Sequence, residues 1–167
     1  MFEFTFMCRD DFEKYGSALV SILYDNMEKI VPTGNSPEFV REHWLKANLE
    51  RFDLGYRKSV MIRHKETGEA AGYFQYSIKE NVLLMEDIQF HSLWKGKANL
   101  FRSLYGFVLE NMEPGIAYVE AYASKNNAKP IGVLGKLGLS VVGENIRGTS
   151  YHFRGTYEDL LKWYQRK

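Results

Sequence analysis

Residues 87–100 read DIQFHSLWKGKANL and carry the most structural information in the chain. The pattern predicts a strand, a short loop and the start of a helix. The loop combines two small residues, Gly96 and Ala98, with two cations, Lys95 and Lys97. Small residues let backbone N–H groups approach an anion, and the following helix N-terminus adds a positive dipole end. A plain strand–helix connection with solvated lysines would have the same sequence pattern. The flanking sequence is therefore needed to distinguish an anion-binding loop from such a connection.

The chain before this segment begins with a strand and two helices. Period-two alternation predicts a strand at residues 2–8, and a helix follows from a cap at Asp10 or Asp11. Ser36 before Pro37 is a good start for the second helix. Three strands come next, at residues 56–64, 70–78 and 82–90. The last of these is apolar enough to be a central strand that is covered on both faces.

The chain after this segment alternates helices and strands. A helix from about Ala98 precedes four further elements and a last helix that begins at Thr156. The four are a strand at 116–123, a helix at 127–137 that Gly138 stops, and strands at 139–146 and 150–154. The predicted order is β-α-α-β-β-β-α-β-α-β-β-α. It indicates one α/β domain over residues 1–167, with the two β-α-β stretches after Val82 forming the parallel part of a mixed sheet.

The composition excludes several classes of protein. A chain of 167 residues that is 45% hydrophobic and 15% aromatic can bury a core and is not disordered. A net charge of +1 provides no global field for nucleic acid or an anionic membrane. Cys8 is the single cysteine, which excludes an internal disulfide and fits a reducing compartment. Without a basic leader or an apolar run of about 18 residues, a cytoplasmic protein that binds neither membrane nor nucleic acid is expected.

A second motif, at residues 127–139, supports the interpretation of residues 87–100 as an anion-binding segment. Residues 127–139 read NAKPIGVLGKLGL and resemble the N-x-x-A/S-x-x-x-Y/L-x-K-x-G-F signature of the GNAT superfamily of N-acetyltransferases. The residues in register are Asn127, Leu134, Lys136, Gly138 and Leu139. Residues 87–100 in turn resemble the family's L-x-V-x-P-x-x-R-G-x-G-x-G segment. The likeness covers residues 82–139 by motif and the rest of the chain by element order.

The resemblance implies a fold and a cofactor. The fold is a mixed, mostly antiparallel sheet with a splayed parallel central strand pair and helices on both faces. The cofactor is acetyl-coenzyme A, whose acyl group passes directly to a primary amine. By the same resemblance, the pantetheine amides bond to the strand backbone, the pyrophosphate lies on the loop N–H groups, and an asparagine faces the cofactor. The residues expected to bind it are Ile88, Gln89, Phe90, Lys95, Gly96, Lys97, Ala98, Asn99, Leu100 and Asn127.

The chain also departs from the family pattern. Lys95 replaces an arginine or glutamine, Ala98 replaces a glycine, and Leu100 stands where a last small residue is usual and is expected to crowd the phosphates. Leu134 occupies the place of a tyrosine that protonates the leaving thiolate in many GNAT enzymes. The branch that resembles ribosomal-protein N-terminal acetyltransferases also tends to have leucine there, so the sequence is closest in pattern to that branch.

The acceptor ammonium has to lose a proton before it attacks, and a carboxylate on or beside the splayed strand can take it. We expect Glu86 to be this general base. Asp87 is adjacent and points to the opposite strand face, while Glu120 on the next strand is the alternative. Glu86 or Asp87 can instead form a structural ion pair.

Other polar residues are weaker candidates. The four histidines have no metal-ligand spacing with one another or with Cys8, so no metal is expected. Burial of Cys8 on the first strand is the expected outcome. His91 can relay a proton or simply end a strand. Three tyrosines can protonate the leaving thiolate in place of the residue at position 134: Tyr118, Tyr122 and Tyr151. Most tyrosines in this chain should nevertheless be packing residues.

Three functions remain open at this point. The first is an acetyl-CoA-dependent N-acetyltransferase acting on a small-molecule or peptide amine, as a monomer or homodimer. The second is a catalytically silent GNAT fold that binds a CoA ester or a protein partner, which the altered loop and Leu134 favour. The third is a mixed α/β domain without a CoA role, which a sheet lacking the splay would favour. The sequence does not identify the acceptor.

Overall fold

The structure, a computed structural model, describes residues 1–97 and 99–166, so the prediction for Ala98 lies outside the described residues. Helices and strands follow one another in the predicted order. They are β1 (Phe2–Phe6), α1 (Arg9–Met27), α2 (Pro37–Leu54), β2 (Lys58–His64), β3 (Ala70–Lys79), β4 (Val82–Phe90), α3 (Leu100–Glu110), β5 (Tyr118–Ser124), α4 (Ala128–Lys136), β6 (Ser140–Glu144), β7 (Ser150–Thr156) and α5 (Tyr157–Gln165).

The seven strands form one mixed sheet in the order β1-β2-β3-β4-β5-β7-β6. β1 is antiparallel to β2, β7 is antiparallel to both β5 and β6, and β4 is parallel to β5. The predicted α/β class with a parallel central pair is therefore confirmed. The second β-α-β stretch behaves differently from the prediction. β5 and β6 run in the same direction, but β7 lies between them and pairs with both, so this stretch adds no second parallel pair.

The parallel pairing of β4 with β5 is short. It joins Val82–Met85 to Tyr118–Ala121. β4 continues to Phe90 and β5 continues to Ser124. The registered pairing thus covers less than half of β4, which agrees with the splayed pair that the sequence predicts.

The chain divides into two compact units. Unit 1 consists of Met1–Gln75 and Asp87–Leu104, and unit 2 of Tyr76–Glu86 and Tyr105–Lys167. The core of unit 1 is a cluster of buried residues from α1, α2, β2, β3 and the connection between β1 and α1: Met7, Phe12, Leu19, Val20, Trp44, Met61 and Tyr73. The expectation of a single domain over the whole chain stays a prediction.

Local signals explain where the helices of unit 1 begin. The Ser36 side chain accepts a hydrogen bond from the Phe39 N–H at 3.2 Å, which confirms the predicted start of α2. α1 begins one turn earlier than predicted. Its N-cap is Cys8, whose N–H donates to Asp11 Oδ2 at 2.8 Å, so Asp11 lies inside the helix. Cys8 is therefore exposed, and the prediction that it is buried on the first strand is wrong, because β1 ends at Phe6 and Met7 is the residue that enters the core.

In unit 2, α3 and α5 contact each other and the strands. Leu83, Val119 and Phe153 are buried strand residues of this unit. The Tyr105 hydroxyl on α3 donates to Met85 Sδ at 3.0 Å, and the ring of Tyr105 meets that of Trp163 on α5 edge to face at 5.6 Å. Burial raises the pKa of Tyr105, which keeps this phenol neutral.

Two helix signals in unit 2 agree with the sequence. The Thr156 side chain accepts from the Asp159 N–H at 3.1 Å and caps α5. Gly138 has a φ of +93° directly after α4, the left-handed conformation predicted from its type. α4 itself is a weakly specified helix. Asn127 at its N-cap makes no side-chain cap bond, and two glycines, Gly132 and Gly135, lie within its nine residues.

No helix among residues 1–97 and 99–166 is long and apolar enough to cross a membrane. Within the same described ranges, no group of three or more histidine, cysteine, aspartate or glutamate residues is placed to hold a metal ion.

The close approach of β7 to the end of α4 yields a stability prediction. A β-carbon at Gly155 would lie 2.7 Å from the Gly138 carbonyl oxygen, whereas one at Gly143 on β6 meets nothing within 4 Å. We expect Gly155→Ala to lower the free energy of unfolding by about 1–3 kcal/mol, as overpacking does. Gly143→Ala is the matched strand control and should leave it nearly unchanged. Thermal and denaturant unfolding of both variants measure the difference, and equal stabilities would contradict the prediction.

Candidate cofactor site

A cavity of about 250 Å³ lies in unit 1 where β4 ends and α3 begins. It is lined by Phe90, Trp94, Gly96, Lys97, Asn99, Leu100, Phe101 and Arg102. Five of these residues were expected from the sequence to bind the cofactor. Trp94, Phe101 and Arg102 were not expected, because only their position around the cavity distinguishes them from ordinary loop and helix residues.

The backbone of the loop has the conformation of an anion cradle. Gly96 and Asn99 have positive φ values of +71° and +54°. The N–H groups of Lys97 and Leu100 donate to carbonyls of the loop itself, at 3.2 and 3.0 Å. Within residues 1–97 and 99–166, the backbone N–H groups of Gly96 and Asn99 donate to no acceptor. These two N–H groups can therefore receive an anion.

The two lysines of the loop have different surroundings. Lys97 is exposed and lines the cavity together with Arg102, so two cations border the space. The Lys95 ammonium donates to Asn26 Oδ1 at 2.8 Å. The Asn26 amide in turn donates to Gln89 Oε1 at 3.0 Å and to the Phe90 carbonyl at 2.9 Å. Lys95 therefore connects the loop to α1 and to the end of β4.

The end of β4 is held from the other side by β3. The His91 N–H donates to the Ala71 carbonyl at 2.7 Å. At Gly72 the strands approach so closely that a β-carbon would lie 2.1 Å from the Gln89 carbonyl oxygen and 3.1 Å from the Phe90 Cα. Glycine is required here because no other residue leaves this space empty. Ile88, Gln89 and Phe90 thus follow a path that β3 and Asn26 define.

Asp87 lies at the start of this segment in a network of neutral donors. The Tyr73 hydroxyl donates to Asp87 Oδ2 at 2.6 Å, and the Gln89 amide donates to Asp87 Oδ1 at 2.8 Å. Burial raises the pKa of Asp87, against the opposing effect of these two hydrogen bonds and of the Arg57 charge. Burial and the adjacent Asp87 also raise the pKa of Tyr73. The carboxyl group is fully engaged in fixing β4.

The remaining predicted residues lie in unit 2. Glu86 is exposed and follows Met85, the last β4 residue paired with β5. Asn127 is half-buried at the start of α4, and Leu134 is buried in the same helix. In unit 1, Leu100, which the sequence suggested would crowd the phosphates, is 3% exposed, so most of its side chain belongs to the core.

The cavity combines features that suit an extended anionic molecule. It offers the N–H groups of Gly96 and Asn99, which donate to no acceptor among the described residues, and two cationic side chains. Both lie beside the N-terminus of α3, which carries a positive dipole end. Trp94 and Phe101 add aromatic surface. Such a set can bind phosphate groups and stack against a planar group.

Comparison with solved structures shows that the fold is that of the GNAT acetyltransferases. PaiA N-acetyltransferase from Thermoplasma acidophilum, in complex with coenzyme A, matches with a TM-score of 0.70 at 15% identity, over 94% of this chain and 99% of that one. An acetyltransferase from Thermus thermophilus matches with a TM-score of 0.73 at 12% identity, over 93% and 97%. A chimera of spermidine N-acetyltransferase SpeG from Vibrio cholerae and hSSAT matches with a TM-score of 0.65 at 14% identity, over 99% of both chains. No protein-family model and no curated protein sequence matches the chain.

The surroundings of Asp87 predict a pH-dependent stability. Since its pKa is raised in the folded protein, the folded state binds a proton more readily than the unfolded chain. Stability should therefore rise as the pH falls through the folded-state pKa toward the ordinary value of 3.8. Asp87→Asn removes the charge and keeps an oxygen that can accept from Tyr73. We expect it to raise the melting temperature at pH 7, by a margin that shrinks as the pH approaches about 4.

Melting temperatures of the parent and of Asp87→Asn between pH 4 and 8 test this directly. Asp25→Asn, which replaces an exposed aspartate on α1, is the control and should follow the parent at every pH. A lower melting temperature for Asp87→Asn at pH 7 would show that the charged carboxylate is stabilising and would contradict the prediction.

Proposed function

We propose that this chain is an acyl-CoA-dependent N-acyltransferase that transfers an acetyl group from acetyl-CoA to a primary amine. The observation that carries the proposal is the cavity at the start of α3, where the Gly96 and Asn99 N–H groups and two cationic side chains meet in a chain of the GNAT fold. A coenzyme A molecule is bound in one matched structure of the same fold. The sequence motifs and the geometry support the same place for the cofactor.

The residues present fit the cofactor. The N–H groups of Gly96 and Asn99 would receive the pyrophosphate, and Lys97 and Arg102 would balance its charge. The backbone of residues 88–90, which Gly72 and Asn26 hold in place, would bond to the pantetheine amides. Ala98, Leu100 and Asn127 keep the cofactor-facing roles that the family resemblance gives them, as part of the same proposal.

The reaction that follows is a direct transfer. The bound thioester supplies an activated acyl carbon, and the chain has to orient it and accept a proton from the incoming ammonium. The amine nitrogen attacks the carbonyl carbon, a C–N bond forms and the C–S bond breaks. Of the two protons that leave the nitrogen, one goes to the thiolate and the other to a basic group of the protein. Glu86 stays the sequence-based candidate for this group.

The proposed acceptor is an amine. One matched protein is a spermidine N-acetyltransferase, so an amine acceptor, small or peptidic, fits the fold. The further likeness to ribosomal-protein N-terminal acetyltransferases rests on Leu134 and is proposed only as a direction for substrate screening. Leu134 also favours the second candidate function, a silent GNAT fold that binds a CoA ester or a protein partner, because leucine cannot protonate a thiolate.

The first test concerns the backbone of the cradle. Gly96→Val forces a β-branched residue into a φ of +71° and should weaken coenzyme A binding about tenfold, or about 1.4 kcal/mol. Gly68→Val is the matched control, because Gly68 has the same φ of +71° and the same open surroundings, in the turn between β2 and β3. Calorimetric titration of coenzyme A into both variants measures the two affinities. Weaker binding by Gly96→Val alone would show that the effect comes from the loop at the cavity and not from backbone strain in general.

The second test concerns the charge. Lys97→Glu should weaken coenzyme A binding by a similar factor at low salt and by less at high salt, because the contact is exposed to screening. Lys46→Glu on α2 changes the net charge equally at an exposed site and should bind as the parent does. If Gly96→Val and Lys97→Glu both bind coenzyme A like the parent, the cofactor site is wrong. Steady release of free thiol from acetyl-CoA in the presence of one of a panel of amines would show that the chain is an enzyme and would exclude the silent GNAT fold.

A further inference from the structure

Trp94, in the loop between β4 and α3, is held against the paired strands β1 and β2 by two other rings. Phe2 and His64 lie directly opposite each other in the register of these strands, and their rings meet edge to face at 5.8 Å. The indole of Trp94 stacks on the His64 imidazole with a centroid distance of 4.9 Å and an interplanar angle of 22°. It meets the Phe2 ring edge to face at 5.3 Å. Phe2 and His64, here termed the Trp94 support, belong to unit 1, as Trp94 does.

The histidine of the Trp94 support acts through its ring plane. His64 is 9% exposed, and its Nδ1 atom is buried with no hydrogen-bond partner among the described residues. An unpartnered buried nitrogen does not stabilise a fold, so hydrogen bonding at Nδ1 does not account for a histidine at this place. Its flat ring does, because stacking against the indole fixes the orientation of that ring. Trp94 is therefore a pre-oriented surface.

Part of the Trp94 indole remains accessible from the candidate cofactor site. The residue is half-buried and lines the cavity. His64 covers one face of the indole, and within the described part of the chain no ring contacts the opposite face. Phe90 and Phe101, whose ring centroids lie 6.4 Å apart, line the same cavity. A planar group that enters the cavity can therefore be placed against a fixed aromatic ring.

The size of the cavity limits which part of coenzyme A it can hold. Sites that enclose drug-sized ligands have volumes of about 300–1,000 Å³, and coenzyme A is larger than such ligands. A cavity of about 250 Å³ therefore takes one part of the molecule. The pantetheine arm is a flexible amide chain and the pyrophosphate has no flat face, so neither gains from a fixed ring. The adenine is the one planar aromatic part of coenzyme A, and nucleic-acid bases stack well on tryptophan.

We propose that Trp94 is a specificity-determining residue that stacks on the adenine of the acyl donor, and that Phe2 and His64 are positioning residues that hold its indole. The proposal rests on the proposed use of coenzyme A and is independent of the transfer step. Lys97, which lines the same cavity, pairs with a phosphate of the bound nucleotide. A donor that carries phosphopantetheine without the nucleotide binds more weakly. The chain therefore selects free coenzyme A thioesters over thioesters attached to the phosphopantetheine of a carrier protein.

Calorimetric titration with three ligands tests the stacking. The ligands are coenzyme A, its nucleotide part adenosine 3′,5′-bisphosphate, and 4′-phosphopantetheine, which lacks the base. Trp94→Leu removes the ring and keeps an apolar side chain. It should weaken the binding of coenzyme A and of adenosine 3′,5′-bisphosphate about tenfold or more, as loss of a ring that stacks on a base does. Its affinity for 4′-phosphopantetheine should be nearly unchanged. Trp94→Phe keeps a ring and should retain most of the affinity for all three ligands.

Two substitutions of His64 test the support of the indole. His64→Leu and His64→Phe both place an apolar side chain at this buried position, but only phenylalanine offers a flat ring to Trp94. His64→Leu should lose part of the affinity for coenzyme A and keep that for 4′-phosphopantetheine. His64→Phe should bind all three ligands as the parent does. Equal affinities of the two variants for coenzyme A would show that stacking by His64 is unimportant and would contradict its positioning role.

Trp163→Leu is the matched control, because Trp163 on α5 is another half-buried tryptophan that meets an aromatic ring, that of Tyr105. It should bind all three ligands as the parent does, and thermal unfolding checks that each variant is folded. If Trp94→Leu does not fold, the parent decides, because adenosine 3′,5′-bisphosphate should displace coenzyme A from it.

Three results would overturn the proposal. If Trp94→Leu loses the same factor with coenzyme A and 4′-phosphopantetheine, Trp94 only shapes the loop, and the cofactor site itself stands. If the parent binds coenzyme A but adenosine 3′,5′-bisphosphate does not displace it, the base makes no contact of its own. If the parent binds no coenzyme A, the proposed cofactor is wrong, and the stacking on its adenine is wrong with it.

Discussion

The close approach of β3 to β4 at Gly72 is the constraint on which the candidate cofactor site depends. A single β-carbon there would occupy the place of the Gln89 carbonyl oxygen. Since the space is empty, the last residues of β4 can lie close against β3, and the Phe90 carbonyl accepts a hydrogen bond from Asn26 on α1. Asn26 then holds Lys95, so the loop before α3 begins from a fixed point. The positions of the cradle residues therefore follow from an absent side chain on a neighbouring strand.

The chain uses carboxylates in two different electrostatic settings. Asp87 in unit 1 accepts hydrogen bonds from two neutral donors, Tyr73 and Gln89, and burial raises its pKa against the opposing effect of the Arg57 charge. Glu120 in unit 2 is surrounded by groups that carry or can carry positive charge, Arg154 and His152. The first arrangement suits a fixed structural anchor, because its bonding capacity is used within the protein. The second is a cross-strand ion pair, in which Glu120 Oε1 lies 3.5 Å from Arg154 and 3.2 Å from His152 Nε2.

The order of elements followed from the sequence because each boundary had a local cause. Ser36, Thr156 and Gly138 act within one turn of chain, and residues this close are visible in the sequence. The start of α1 was misplaced because two aspartates offered equally good caps and the backbone used Cys8. The insertion of β7 between β5 and β6 depends on pairing partners far apart in the chain, which no local pattern encodes. The sequence did not reveal that Trp94 and Arg102 line the same cavity, because only the fold brings them there. It did not reveal the contact between Glu120 and His152 either, because that contact depends on the register between β5 and β7.

The composition of α4 has a consequence for how the chain opens. Two interior glycines each cost a helix about 1 kcal/mol relative to alanine, and the N-cap Asn127 contributes no side-chain bond. Of its nine residues only Leu134 is buried, so few tertiary contacts offset that cost. The amide hydrogens of this helix should therefore exchange with solvent through local opening, at a free energy well below that of global unfolding. A ligand that contacts the ordered form of α4 would have to supply the free energy of ordering it, and its apparent affinity would be lower by that amount.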